Sequence, residues 1–342
     1  MSKTIYYLGA GASYGKRDTH GGILEGIPVV SEIPSRFDSF RARISSEIIS
    51  DRIISFWDWF SLDSAEVKQY QKRLIEDIDS LIIGIQEHAT IDTYARKLYL
   101  TQNIRGFEKL KDVLCTFFLW EQVEHRPDNR YDTFLANVLE MPDLNLPHDI
   151  SILSWNYDSQ IEHAYRSYGK GHGLIVYEKN TEGKWPELTD FGRIIKLNGR
   201  ASFVDSPIIN SILNEKRLPV SIQLIIIYGH IHIDTRGLDF QFNNHLSFAW
   251  EESSNKEKWM TTIKSTTADT EQVVVIGYSF PYYNRKMDRL VFRNMPNLKK
   301  IYVQDINTAA VIQSMKAVLL SHLHVDIEPI TNCDQFFLPG EL

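Results

Sequence analysis

Lys3-Thr4-Ile5-Tyr6-Tyr7-Leu8-Gly9-Ala10-Gly11-Ala12-Ser13 sets an apolar, β-rich run directly before a Gly-x-Gly-x-Ser turn. A strand that ends in glycines lets backbone approach a pyrophosphate closely, and the N–H groups of the following helical turn then face the anion. The stretch therefore reads as the first strand and phosphate turn of a dinucleotide-binding α/β domain. The G-x-G-x-x-G pattern of dehydrogenases is met only in part, because Tyr14 stands where the third glycine belongs.

Downstream, strands and helices alternate. Ile150–Leu153 precedes a helix at about 158–167, and Arg193–Leu197 and Leu224–Tyr228 read as further strands. Val273–Ile276 precedes a helix at about 284–294, Ile301–Gln304 a helix at about 307–321, and Val325–Ile327 is a last strand. Unbroken apolar runs such as Val273-Val274-Val275-Ile276 suit a parallel sheet covered on both faces. Residues 35–141 carry no strand pattern. Between Ser64 and Gln86, Val67, Tyr70, Leu74, Ile78, Leu81, Ile82 and Ile85 recur at helical spacing, and Phe107–Val123 repeats the pattern. The predicted organisation is a doubly wound, Rossmann-like domain of residues 1–34 and 148–342, interrupted by a helical insertion at 35–147. Ser253–Thr270, the most polar stretch, reads as including a mobile surface loop.

The chain of 342 residues is 43 % apolar, enough for a large core, and carries a formal net charge of −7. That balance argues against direct nucleic-acid binding, which needs a concentrated positive face. No apolar run approaches the roughly 20 residues of a membrane helix, and the first strand begins too early for a signal peptide, so the expected location is cytoplasmic. Cys115 and Cys333 form neither a disulfide framework nor a metal-binding pair.

Polar and small residues collect where ligands bind in such sheets, at the carboxyl ends of the strands. Gly9, Ala10, Gly11 and Ser13 follow the first strand. Ser154-Trp155-Asn156-Tyr157-Asp158, Lys196-Leu197-Asn198-Gly199, Gly277-Tyr278-Ser279 and Asp305 with Asn307 follow the others. Each alone reads as turn or cap chemistry. Together, and with Gly26-Ile27-Pro28, their order resembles the SIR2 (sirtuin-fold) family, in particular the bacterial SIR2-like proteins that consume NAD in antiviral defence, in which Asn-Tyr-Asp replaces the sirtuins' Gln-Asn-x-Asp.

The resemblance covers residues 1–34 and about 148–330, and it implies NAD as substrate or ligand. By that likeness Gly9, Ala10, Gly11 and Ser13 would hold the pyrophosphate, and Asn156 would position a water or the nicotinamide ribose at its anomeric carbon. Asp158 would bind the nicotinamide side or orient Asn156, Gly277 and Ser279 would contact phosphate and ribose, and Asp305 would accept from the adenosine ribose hydroxyls. The implied chemistry is NAD hydrolysis to ADP-ribose and nicotinamide, performed by a homo-oligomer or a complex with a separate sensor protein. The two Cys-x-x-Cys pairs of zinc-bearing sirtuins are missing, so no zinc is expected.

Asn198 departs from the family, which places its general-base histidine there. Asparagine does not titrate near neutral pH, and loss of a general base typically costs about 10²- to 10⁴-fold. Three readings follow: an inactivated or weakly active NADase, a noncatalytic NAD- or ADP-ribose-binding sensor or interaction protein, or an enzyme that recruits another histidine such as His172. Gly229-His230-Ile231-His232, after an apolar run read as a strand, resembles the Gly-His-x-His element of metallophosphoesterases, whose i and i+2 imidazoles share one face. The companion Asp-x-His and Gly-Asn-His-Glu segments are missing, and no metal site is expected. The aromatic residues Trp57, Trp59, Phe60, Phe117, Phe118 and Trp120 read as core or interface.

Overall fold

The structure is a computed structural model. It describes residues 3–50, 55–57, 60–61, 63–88, 90–169, 174, 176–178, 192–203, 212, 215–233, 244–252, 255–319 and 324–340. Its contacts divide the chain into two units, one of Met1–Val29, His125–Arg200 and Ser247–Leu342, the other of Val30–Glu124 and Ala201–Leu246. Residues 125–147 thus group with the sheet, and residues 201–246 group with the helical block.

The first unit is built on seven parallel strands, β1 (Thr4–Leu8), β2 (Ile150–Ser154), β3 (Val176–Glu178), β4 (Ile194–Lys196), β5 (Gln272–Ile276), β6 (Lys300–Gln304) and β7 (Asp326–Ile330), in the order β7-β6-β5-β1-β2-β4-β3. The helices are α1 (Ile33–Ser46), α2 (Ser64–Gln86), α3 (Ile91–Leu100), α4 (Ile104–Glu124), α5 (Asn129–Val138), α6 (Gln160–Arg166), α7 (Val220–Ile233), α8 (Lys256–Thr267), α9 (Arg285–Arg293) and α10 (Thr308–Lys316).

Alternation along the strands builds two core layers. Ile5, Tyr7, Leu153, Val273, Val275, Ile301 and Val303 face one side, with Trp259 of α8, Val291 and Phe292 of α9 and Met315 of α10. Tyr6, Leu8, Ile152, Val274, Ile276 and Tyr302 face the other, with Tyr131, Phe134 and Leu135 of α5 and Ile161 and Tyr165 of α6. Both faces are covered, which is why the strand sequences are apolar throughout rather than alternating. This is the doubly wound α/β arrangement predicted from the sequence. Register aligns Leu8 with Ser154 on one side and with Ile276 on the other. The polar segments after β1, β2 and β5 therefore emerge at one level. From β1 the chain passes to β2, then to the edge strand β3 and back inward to β4, and it crosses to the opposite side of β1 through β5, β6 and β7. The reversal falls between β1 and β5, the switch point at which α/β sheets open a crevice.

Two sequence expectations are corrected, and a third region is defined more closely. Leu224–Tyr228 is part of helix α7, not a strand, and packs with α1, α2 and α4 in the helical unit. Its residues 221–228 are buried, so its apolar positions carry no helical stripe, and a short apolar run of this kind does not distinguish a strand from a buried helix. The backbone at 229–232 is consequently helical, and the strand geometry that would bring i and i+2 onto one face is absent. Ser253–Thr270 contains α8, whose Trp259 and Ile263 are core residues. Within 35–141, Ser55–Trp57 and Phe60–Ser61 pair as a short antiparallel ribbon, while Asp58 and Trp59 lie outside the described residues.

In the helical unit, α2 starts with a capping box: Asp63 accepts the Glu66 N–H at 2.7 Å and Glu66 accepts the Asp63 N–H at 3.2 Å. Phe37 stacks on Phe117 with ring centroids 4.2 Å apart, and Phe117, Phe118 and Trp120 are buried. No described helix is long and apolar enough to cross a membrane.

Candidate functional site

Two backbone turns cross at the switch point. After β1 the chain makes a single 3₁₀ turn, Ala10–Ser13, and the Gly11 N–H donates to the Gly277 carbonyl at 3.0 Å. A Cβ on Gly9 would lie 2.6 Å from the Gly277 oxygen, and one on Gly11 would lie 2.7 Å from the Gly277 Cα. Gly277 itself has φ +59°, and a Cβ there would lie 2.4 Å from the Gly11 backbone. The three glycines are thus required by the mutual approach of the loops after β1 and β5. Ala10 and Gly11 remain partly exposed, whereas Ala12 and Ser13 are buried.

Helix α5 braces this turn from beneath. Asp128 caps the helix by accepting the Arg130 N–H at 3.0 Å, and it also accepts the Gly15 N–H at 2.8 Å. Arg130, paired with Asp128, donates to the Gly11 carbonyl at 2.9 Å. The Ser13 hydroxyl and the Tyr131 hydroxyl lie 2.9 Å apart, and Gln160 Nε2 donates to the Ser13 carbonyl at 3.2 Å. Ser13 therefore faces the interior of the protein, and its side chain is fully buried.

The segment after β2 supplies the polar floor. Asn156 donates through Nδ2 to Ser13 Oγ at 3.0 Å. Asp158, just before the Ser159 N-cap of α6, accepts the Gln160 N–H through Oδ1 at 3.0 Å, while its buried Oδ2 has no hydrogen-bond partner. Burial pushes the Asp158 carboxyl above the usual range, and nearby Lys196, the Gln160 amide and the Ser13 hydroxyl pull it back down. Lys196, at the end of β4, is buried, donates to the Asp158 main-chain carbonyl at 2.5 Å and lies 3.3 Å from Glu162.

Asn198 follows on the same strand end. Its main-chain carbonyl accepts the Ser247 N–H at 2.8 Å, and its Nδ2 lies 3.5 Å from the Trp155 carbonyl. Its Oδ1, like Ser247 Oγ, is buried without a hydrogen-bond partner. The main-chain link of Trp155 to Leu8 at 2.9 Å and of Leu197 to Ser154 at 2.8 Å brings the β1, β2 and β4 ends side by side. Among the described residues, no cluster of three or more His, Cys, Asp or Glu side chains could hold a metal ion.

The remaining predicted residues lie at the ends of β5 and β6. Ser279 is exposed at the tip of its loop, between the buried Tyr278 and Phe280. Asp305 is partly exposed, and its Oδ1 accepts the Asn307 N–H at 2.8 Å, so part of its role is to shape the turn into α10. His172 lies outside the described residues.

Sequence reading missed Arg130 and Tyr131, which stand beside no recognisable motif, and it gave no role to Gln160 and Lys196, which lie at or beside the motifs after β2 and β4. It also missed Asp288 of α9, which is fully buried and accepts hydroxyl bonds from Tyr7 at 2.6 Å and Tyr278 at 3.1 Å. Burial raises the Asp288 carboxyl to about 7, against the lowering effect of those hydroxyls. Tyr278 in turn stacks on Trp155 with centroids 5.7 Å apart, joining the loops after β5 and β2. Compared with protein-family models and with curated proteins, the chain matches none.

Proposed function

We propose that the crevice outside β1, β2, β4 and β5 binds NAD or an ADP-ribose derivative. The observation that carries this reading is the coincidence of the Gly9/Gly11–Gly277 crossing with buried, unsatisfied acceptors, Asp158 Oδ2 and Asn198 Oδ1, at the switch point of the sheet. Buried polar atoms are ordinarily satisfied, so acceptors left open beside a crevice are suited to a ligand rich in N–H and O–H donors. A ribose and a carboxamide present such groups.

In this reading the partly exposed turn Ala10–Gly11 meets the pyrophosphate. Ser279 and Asp305 meet phosphate and ribose, and Asn156 lies at the nicotinamide ribose. Hydrolysis would transfer water to the anomeric carbon, release neutral nicotinamide as the C–N bond breaks, and leave one proton to be removed. Asn198 cannot take that proton. That fact favours a second reading, a binding protein in which the nucleotide controls assembly with itself or with a sensor partner.

Calorimetric titration with NAD and with ADP-ribose tests the site, and nicotinamide release tests the chemistry. Asn156→Ala is expected to abolish any cleavage by the parent protein while retaining most of the binding. Asn198→His is expected to raise nicotinamide release at least about tenfold, a threshold set below the roughly 10²- to 10⁴-fold that a general base typically contributes. Absence of heat with either nucleotide overturns the site. Equal release by two proteins that both bind NAD overturns Asn198 as the limiting residue and favours the binding protein.

A further inference from the structure

The loop after β5 holds a conformation that its sequence does not favour. Gly277 has φ +59° and Phe280 φ +54°, so two left-handed residues bracket Tyr278 and Ser279, and for a side chain as bulky as Phe280 that backbone is costly. Such a loop keeps its shape only where its side chains are anchored. Phe280 is buried against Tyr7 and Phe292. The Tyr278 hydroxyl lies 3.1 Å from both Asp288 oxygens, and the Tyr7 hydroxyl donates to Asp288 Oδ1 at 2.6 Å. Tyr278 is also where the crevice loops meet. A Cβ on Gly9 would lie 2.6 Å from the Tyr278 Cα, the Tyr278 ring stacks on Trp155, and Trp155 directly precedes Asn156. Asp288 itself is fully buried beside an apolar layer, where a carboxylate contributes little stability beyond what a well-packed apolar side chain would supply. What the carboxylate adds is direction, because its oxygens fix where the two tyrosine hydroxyls must lie.

We propose that Asp288 is a positioning residue of the nucleotide crevice: by holding the Tyr278 hydroxyl it fixes the loop after β5, and with it the Gly9–Gly277 contact and the Trp155 ring, in the form that accepts the ligand. The inference rests on the reading of the crevice given above and adds to it a buried residue that acts through another. The route is short. It runs from the Asp288 carboxylate to Tyr278, and from Tyr278 to its neighbours Gly277 and the exposed Ser279 along the chain and to Trp155 across the stack.

Calorimetry with ADP-ribose, which has no nicotinamide bond to cleave, provides the test on the full chain. Asp288→Val removes the acceptors, and Tyr278→Phe removes the donor while retaining the ring. Each is expected to weaken binding roughly threefold to tenfold, the usual worth of one hydrogen bond. The double variant Asp288→Val/Tyr278→Phe should bind within about twofold of Asp288→Val alone, because both changes break the same link. Asp288→Asn keeps an oxygen that can accept from both hydroxyls and should bind within about twofold of the parent. A carboxylate with only a structural role would lower the urea midpoint of Asp288→Val and leave the affinity of the folded protein unchanged. Should Asp288→Val fail to fold, Tyr278→Phe and Asp288→Asn decide. Unchanged affinity in Tyr278→Phe, a loss in Asp288→Asn as large as in Tyr278→Phe, or losses that multiply in the double variant overturns the proposal while leaving the nucleotide site standing. No binding of ADP-ribose or NAD by the parent protein overturns both.

Discussion

In the helical unit Glu121 is fully buried and receives Nε and Nη2 of Arg36 at 2.8 and 3.1 Å, and Asp77 accepts from Lys109 and Tyr228, each at 2.8 Å. At the strand ends of the sheet unit Asp158 is buried to a similar degree, yet one of its oxygens has no donor, and Asn198 Oδ1 and Ser247 Oγ share that condition. A buried carboxylate closed by donors secures its own surroundings, whereas an open one raises the energy of the empty fold and lowers it only when a donor arrives. Burial is similar for these carboxylates; their hydrogen bonding is what differs.

The largest effect should come from the glycine crossing, where no polar group is involved. Gly277→Val puts a β-branched side chain at φ +59° with its Cβ against the Gly11 backbone. Left-handed backbone and overpacking together should cost about 4 kcal/mol. Urea unfolding measures it, and an unchanged midpoint would mean that the loops separate freely and that the glycines answer to a ligand alone.

The contrast between the units is probed directly by a pair of variants. Glu121→Ala strands the Arg36 guanidinium, which is partly exposed and can recover some hydration, so the expected loss is about 3 kcal/mol. Asp158→Asn retains an oxygen for the Gln160 N–H and removes a buried, incompletely bonded charge, so stability should change by less than about 1 kcal/mol. Equal losses in the two variants, measured by the same unfolding experiment, would erase the distinction drawn above.

Asp288 sharpens the comparison from a third direction, because it is satisfied by two tyrosines and still penalised by burial. Its carboxyl is raised to about 7 in the fold, from an ordinary value of 3.8. The folded state then binds the proton more tightly than the unfolded chain, so stability is greatest below the unfolded value and falls as pH rises toward 7. Between pH 5 and pH 8 the loss should be about 2 kcal/mol. Asp288→Asn should flatten that slope. A slope that is the same in both proteins would show that the two hydroxyls suffice to keep Asp288 ionised at ordinary pH.

The fold was largely readable because its signals are local. Apolar runs such as Val273–Ile276 and the Gly9–Ser13 turn need only nearest-neighbour sterics and burial on both faces to be interpreted. The reading failed at α7, where residues 221–228 are buried and the apolar pattern has no period to reveal. At the crevice, sequence order brought Gly11, Asn156, Asp158, Asn198 and Gly277 forward as a group, because each follows a strand.

What the sequence by itself determined is most of the sheet strands, with Val176–Glu178 missed and Leu224–Tyr228 wrongly included, together with their burial on both faces and the small or polar residues that end them, since these follow from composition over a few consecutive positions. Only the tertiary structure decided that Gly11 and Gly277 exclude side chains for each other's sake, that Ser13 turns inward to Tyr131 and Asn156, and that Lys196 sits beneath Asp158. Those partners come from helices and strands far apart in the chain, and hydrogen-bond donors and acceptors are matched by distance in space, which no local periodicity encodes.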